Sequence, residues 1–239
     1  MDEEVFDVVI VGGGLAGCAA AYALAKAGVE VVVVERGAFS GSKNMTGGRL
    51  YGHSLEKLIP GFAESAPVER LITRERLSFL TDDSATTMDF ASASLGAPAC
   101  ASYAVLRAPF DQWLAEQAER EGAMFVNEIR VDDLIVRDGR VCGVRAGEDD
   151  MEAKVVLLAD GAVSLLGQKL GMVPPLDPHA MAVSAKEVIQ LDEKTVSDRF
   201  GCAPGEGCAW LFDGSCTDGH IGGGFLYTNR DSISLGVVT

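Results

Sequence analysis

The sequence predicts an α/β fold in which a doubly wound, mostly parallel sheet is interrupted by a second, antiparallel sheet. Three observations predict it. Residues 5–35 read VFDVVIVGGGLAGCAAAYALAKAGVEVVVVE, which is an apolar strand, a glycine turn, an alanine-rich helix and a second strand closed by an acid. VVLLA, ending at Asp160-Gly161, is a further buried-strand run that stops at a polar turn. RLSFLTDDSATTMDF and the stretch beyond Pro174-Pro175 carry the alternation and turn signals of antiparallel strands.

The first run is the most informative. Gly12, Gly14 and Gly17 stand at G-x-G-x-x-G spacing, and Glu35 closes the second strand. In the strand–turn–helix–strand context this is the adenine-dinucleotide fingerprint. Gly12 permits the tight turn out of the strand. Gly14 has no side chain, so a pyrophosphate can approach the backbone. Gly17 lets the helix lie close to the sheet. The amides at the helix start face the anionic pyrophosphate, and the Glu35 carboxylate suits ribose hydroxyls. A domain whose glycines only pack helix on sheet is the competing reading, and the surrounding pattern weighs against it. The motif alone leaves FAD and NAD open.

The remaining elements follow in order. RGAFSGSKNMTGGRLYGHS is rich in Gly, Ser and Asn and reads as loop. LEKLIPGFAESAPVERLI reads as short helix and turn. RLSFLTDDSATTMDF reads as a hairpin turning near Asp82 and Asp83, ASASLGAPACA as a flexible connection, and SYAVLR as a strand. In FDQWLAEQAEREGA, Phe110, Trp113, Leu114, Gln117 and Ala118 fall at helical spacing, with Gly122 at the helix end. The stretch from Met124 to Gly161 reads as strands, with a tight hairpin at Asp138-Gly139. AMAVSAKEVIQL reads as a strand entering a new sheet and TVSDRFG as a short helix. Gly205 to Gly224 is glycine-rich, and FLYTNRDSISLGVVT reads as a hairpin. The expected domains are discontinuous: residues 1–75 and 104–171 for the dinucleotide domain, 76–103 and 172–239 for the antiparallel sheet.

Composition narrows the function. The chain has 239 residues, 48% hydrophobic and 23% charged, which is ordinary globular composition. A formal charge of −15 with no basic block argues against nucleic acid and against broad adhesion to anionic lipid. MDEEVFD lacks the basic start and cleavage site of a secretory signal, and no apolar run is long enough to span a bilayer, so a cytoplasmic location is expected. None of the six cysteines forms a C-x-x-C pair. Cys202, Cys208, Cys216 and His220 have no zinc or iron–sulfur spacing, and no metal is expected. His53 is read as structural.

VVIVGGGLAG, VVVVERG, GSKNMTGGRLYGHSLEKLIPGF, YAVLRAPFDQWL, VVLLADGAVS and GGGFLYTN together resemble a FixC-like electron transfer flavoprotein–quinone oxidoreductase. That group falls in the wider class of FAD proteins that includes geranylgeranyl reductases and aromatic hydroxylases. The resemblance spans essentially the whole chain, and GSKNMTGGRLYGHSLEKLIPGF is its specific part. It implies a Rossmann-like FAD-binding domain, a partly truncated antiparallel substrate domain, and non-covalent FAD. By position, Gly12, Gly14 and Gly17 face the pyrophosphate, Glu35 holds the adenosine ribose, and Arg36 follows in the family's E-R pair. Lys43, Asn44, Thr46 and Gly47 lie in the loop that passes the phosphates toward the flavin ring. Arg107 resembles the class's arginine near the cofactor. Val131 touches adenine through its backbone, and Asp160 and Gly161 close the site.

The resemblance also implies partners: electron transfer flavoprotein as donor, quinone as acceptor, and a ferredoxin-like protein between them. Peripheral contact with the cytoplasmic face of the membrane belongs to that reading. Family members continue past Thr239 with a further FAD-contacting segment, so the chain is expected to be truncated, to bind FAD incompletely and to be inactive alone. Two alternatives stay open: a geranylgeranyl-reductase-like isoprenoid double-bond reductase, and an FAD-binding module without turnover.

Overall fold

The computed structural model describes residues 5–45 and 47–239. In chain order its strands begin with β1 (Val5–Val11), β2 (Val31–Val34), β3 (Gly47–Tyr51), β4 (Val68–Leu80), β5 (Ala85–Ala91), β6 (Ser102–Leu106) and β7 (Met124–Val126). They continue as β8 (Asp133–Arg137), β9 (Arg140–Ala146), β10 (Asp149–Leu158), β11 (Ser184–Gln190), β12 (Glu206–Gly214), β13 (Gly223–Thr228) and β14 (Ser232–Val238). The helices are α1 (Leu15–Lys26), α2 (His53–Leu58), α3 (Arg107–Arg120), α4 (Leu165–Lys169) and α5 (Glu193–Phe200).

The chain divides into two compact units. Residues 1–45 and 108–176 form the first, and residues 46–107 and 177–239 form the second. Residues 46–75, expected with the first unit, fall in the second because β3 pairs with β6, and β4 pairs with both β6 and β12. Residues 104–107 fall there for the same reason.

The first unit holds a six-stranded sheet in the order β7-β2-β1-β10-β9-β8. β7, β2, β1 and β10 run parallel, while β9 and β8 return antiparallel. All four valines of β2 are buried, as a central strand covered on both faces requires. Val32 and Val34 pack with Val9, Val11, Val144, Ala153 and Leu166. Each such valine stabilises the fold by roughly 1.5–3 kcal/mol relative to exposure. Helix α1 buries Gly17, Cys18, Ala21, Tyr22 and Ala25, which recur every three or four residues, and Gly28, just past its C-cap Ala27, takes a φ of 79°. The β8–β9 turn at Asp138-Gly139 has two positive φ angles, 52° and 76°, as a two-residue hairpin demands.

The second unit holds an eight-stranded sheet in the order β11-β14-β13-β12-β4-β6-β3, with β5 paired to β4. The sequence led us to expect antiparallel pairing throughout. The central β12–β4 pair is parallel instead. The two strands are far apart in sequence, so no short hairpin dictates their direction. Two strands arise where loop or glycine-rich chain was expected. GGRLY becomes β3 because β6 offers it a ladder, and EGCAWLFDG becomes β12 between β4 and β13.

The unit is tied together by Arg70, which is buried on β4. Its guanidinium donates to the carbonyls of Glu193, Glu206, Asn229 and Arg230 and to the Ser197 hydroxyl, at 2.6–3.1 Å. Under α5, Val196, Phe200, Leu226 and Cys208 form an apolar cluster, with Cys202 and Trp210 against it. Burial pushes the Cys208 thiol pKa up to about 12. These two cysteines thus pack as small apolar side chains. Among the described residues no helix is long and apolar enough to cross a membrane.

Candidate functional site

The first unit gathers its special residues at the C-terminal ends of β1, β2 and β10, where open α/β sheets place their ligands. Gly12 leaves β1 with a φ of 105°, and a Cβ there would lie 2.4 Å from the Ala159 carbonyl oxygen. The Gly12 amide donates to the Val34 carbonyl at 2.9 Å, locking the turn to β2. At Gly17 a Cβ would lie 1.9 Å from the Gly12 carbonyl oxygen. Both positions therefore exclude any side chain, Gly12 because the turn lies against the chain leaving β10 and Gly17 because the helix start presses on the turn. Gly14 differs. Its backbone is extended, and a Cβ there would meet nothing within 4 Å.

Gly14 is also the N-cap of α1. It supplies no side-chain cap, and no acid stands in the first turn. The first amides of the helix thus keep their need for acceptors, and the side-chain position of Gly14 beside them is open. An anion fits there on both counts.

Glu35, at the end of β2, is held by two backbone amides. Its Oε2 accepts from Gly13 N at 2.7 Å, and its Oε1 from Gly37 N at 2.6 Å. The segment after β7 runs alongside: Glu35 N donates to the Val126 carbonyl, Ile129 N to the Glu35 carbonyl, and Glu128 N to the Gly37 carbonyl. Val131 follows two residues later, half-buried against the valine core.

Asp160 follows β10, beside Gly12. Its carboxylate accepts from Ser164 Oγ and from Leu166 N, both at 3.2 Å, and so organises the entry to α4. Gly161 is exposed with a φ of 90°. Arg36 and Lys43 are exposed. Asn44 is half-buried and donates through Nδ2 to Asp111, a fully buried residue of α3. That bond anchors the loop after β2 to the helix.

Gly12, Gly14, Gly17, Glu35 and Asp160 are thus brought together within one unit, with Asn44 and Val131 on segments fixed to it. Gly47 and Arg107 belong to the second unit, Gly47 on β3 and Arg107 at the start of α3. Thr46 lies outside the described residues. Sequence reasoning missed Gly13, Gly37 and Asp111. Gly13 occupies a variable place in the motif, yet a Cβ there would lie 2.7 Å from Ser40 Oγ and 3.1 Å from Glu35 Cβ. The middle glycine of the GGG run was its signal. Asp111 had a weaker one, an acid on the otherwise apolar face of a helix.

The chain is 57% identical over 238 residues to "Probable electron transfer flavoprotein-quinone oxidoreductase YdiS" of Escherichia coli strain K12. It is 56% identical over 238 residues to "Protein FixC" of Escherichia coli O157:H7. Each match covers 100% of this chain and 56% of the relative, so the chain spans little more than half the length of these proteins. Among solved structures, a geranylgeranyl bacteriochlorophyll reductase-like protein of Thermoplasma acidophilum matches with a TM-score of 0.77 at 23% identity. That match covers 99% of this chain and 57% of the other. The FAD-dependent halogenase CndH, a myxobacterial protein, matches with a TM-score of 0.75 at 21% identity, over 99% of this chain and 53% of the other. These two likenesses show a shared fold. A family profile matches residues 7–193, and the chain belongs to the family it describes, glucose inhibited division protein A.

Proposed function

We propose that the chain holds FAD on the turn from Gly12 to Glu35, as part of a flavoprotein that passes electrons from an electron transfer flavoprotein to quinone. One observation carries the reading: the uncapped start of α1 has an open side-chain position at Gly14, close to a Glu35 carboxylate already oriented by two backbone amides. The open space takes the pyrophosphate. Each Glu35 oxygen keeps acceptor capacity beyond its one amide bond, and that capacity takes the ribose hydroxyls. The 57% identity to a relative named as a probable electron transfer flavoprotein-quinone oxidoreductase supports that class over the other FAD chemistries sharing the fold.

The remaining roles follow from position. Arg36 and Lys43 supply cationic side chains near the phosphates. The roles of Asn44, Thr46, Gly47 and Arg107 toward the flavin ring rest on the resemblance alone. Val131 meets adenine through its backbone, and the Asp160-Gly161 turn closes the phosphate side. When bound, FAD supplies one- and two-electron chemistry. The chain's own residues bind it, orient it and limit its access to water. A ferredoxin-like carrier and contact with the cytoplasmic face of the membrane extend the reading to the whole protein, and they rest on the resemblance alone.

The test is rapid mixing of the FAD-loaded, full-length protein with reduced electron transfer flavoprotein. The reading expects the bound flavin to bleach. Bleaching by dithionite but not by the flavoprotein would remove the proposed donor while leaving the cofactor in place.

A further inference from the structure

The second unit carries a buried cation that its own fold does not answer. Strand register places Lys186, Gly236, Phe225 and Leu211 in one row across β11, β14, β13 and β12. The next row holds Val188, Ser234, Tyr227 and Ala209. Paired residues share a face of the sheet, so Lys186, Phe225 and Tyr227 lie on one face. The Phe225 and Tyr227 rings are tilted, with centroids 5.6 Å apart. Phe225 reaches across Gly236, where a Cβ would lie 2.3 Å from its ring.

The Lys186 side chain runs over this face toward β3. Its Nζ lies 3.1 Å from where a Cβ on Gly47 would stand. That nitrogen is buried and has no hydrogen-bond partner among the described residues. Burial pushes its pKa down. The contrast within the unit is Arg70, whose guanidinium donates to five acceptors. An ammonium buried without an acceptor is costly, and a ligand that brings an acceptor would relieve that cost.

We propose that Lys186 Nζ donates a hydrogen bond to a carbonyl oxygen of a quinone ring seated against Phe225 and Tyr227. The proposal rests on the electron-transfer reading above and names a residue for its acceptor. Lysine offers three donors and no acceptor, so the ligand must bring the acceptor. The two aromatic side chains offer an apolar surface suited to a flat ring. A quinone joins both properties in one small group.

Equilibrium dialysis of the FAD-loaded chain against duroquinone, with benzoate as a competing probe, tests this. The expected result is duroquinone binding that Lys186→Met weakens about tenfold or more and Lys186→Arg weakens less. The visible flavin spectrum stays unchanged in both variants. The thermal midpoint of Lys186→Met stays level or rises, because an unanswered buried charge has been removed. Unchanged duroquinone affinity in Lys186→Met would overturn the proposal. So would loss of FAD from that variant, which would assign the cation to the cofactor, or benzoate binding more tightly than duroquinone, which would mark an anion site. A wild-type chain that holds FAD but binds no duroquinone would also overturn it, with the cofactor reading intact. A wild-type chain that takes up no FAD even at saturating FAD would break the underlying reading instead.

Discussion

The Gly13 amide donates to the Glu35 carboxylate at 2.7 Å, tying the middle of the glycine turn to the acid that ends the second strand. The other Glu35 oxygen accepts from Gly37. Ribose recognition and turn geometry therefore share one side chain. In Glu35→Gln the amide group keeps one acceptor and turns its own donors toward the other backbone amide. FAD affinity is expected to fall about tenfold or more. The check is the rise in melting midpoint on adding FAD, which should shrink in the variant at equal FAD concentration.

Arg70 is a purely structural cation. Its five acceptors are four carbonyls and a hydroxyl, drawn from α5, β12 and the β13–β14 turn. Arg70→Met would leave those carbonyls buried and unanswered, at a cost of about 3–5 kcal/mol. Ser197→Ala, which removes one partner, should cost about 1 kcal/mol. Urea unfolding of the two variants beside the wild type reads both values. Equal losses would show that the carbonyl bonds contribute little.

Acid should loosen the β4–β5 hairpin through Asp89. A hydrogen bond from Arg74, then one from Arg76, holds its carboxyl below the usual carboxylate range. A carboxyl depressed in the fold contributes stability that is complete above its unfolded pKa, about 4, and is lost as pH falls through the folded value. The carboxylate is one-third exposed, so solvent screening limits the contribution to about 1 kcal/mol or less. Asp89→Asn should lower stability at neutral pH and flatten the acid limb of a stability–pH curve. An acid limb identical to wild type would exclude Asp89 as its source.

Much of this architecture was legible because it is local. The β1–turn–α1–β2 unit announces itself through periodicity and glycine spacing, and the Asp138-Gly139 hairpin through turn chemistry. β3 and β12 were not legible. Their glycines argue for loop, and what makes them strands is a partner remote in the chain: β6 for β3, β4 for β12. The boundary between the units shifted for the same reason. Within the site, Glu35 could be read from its place in the motif. The amides that hold it, from Gly13 and Gly37, could not, because only the folded turn aims them at the carboxylate. Lys186 gave no signal at all, since a lysine in a strand ordinarily reads as solvated.

Gly14 tests the central claim most directly. A Cβ there meets nothing within 4 Å, and its backbone is extended, so Gly14→Val should keep the fold at a cost of about 1 kcal/mol for the poorer N-cap. The new side chain would instead occupy the space assigned to the pyrophosphate. Titration of both proteins with FAD, followed by visible absorbance, should show saturable binding by the wild type and affinity lower by a factor of about ten or more in Gly14→Val, with unchanged far-UV circular dichroism. Equal FAD affinity in the two proteins would contradict the assignment of this turn as the cofactor cradle.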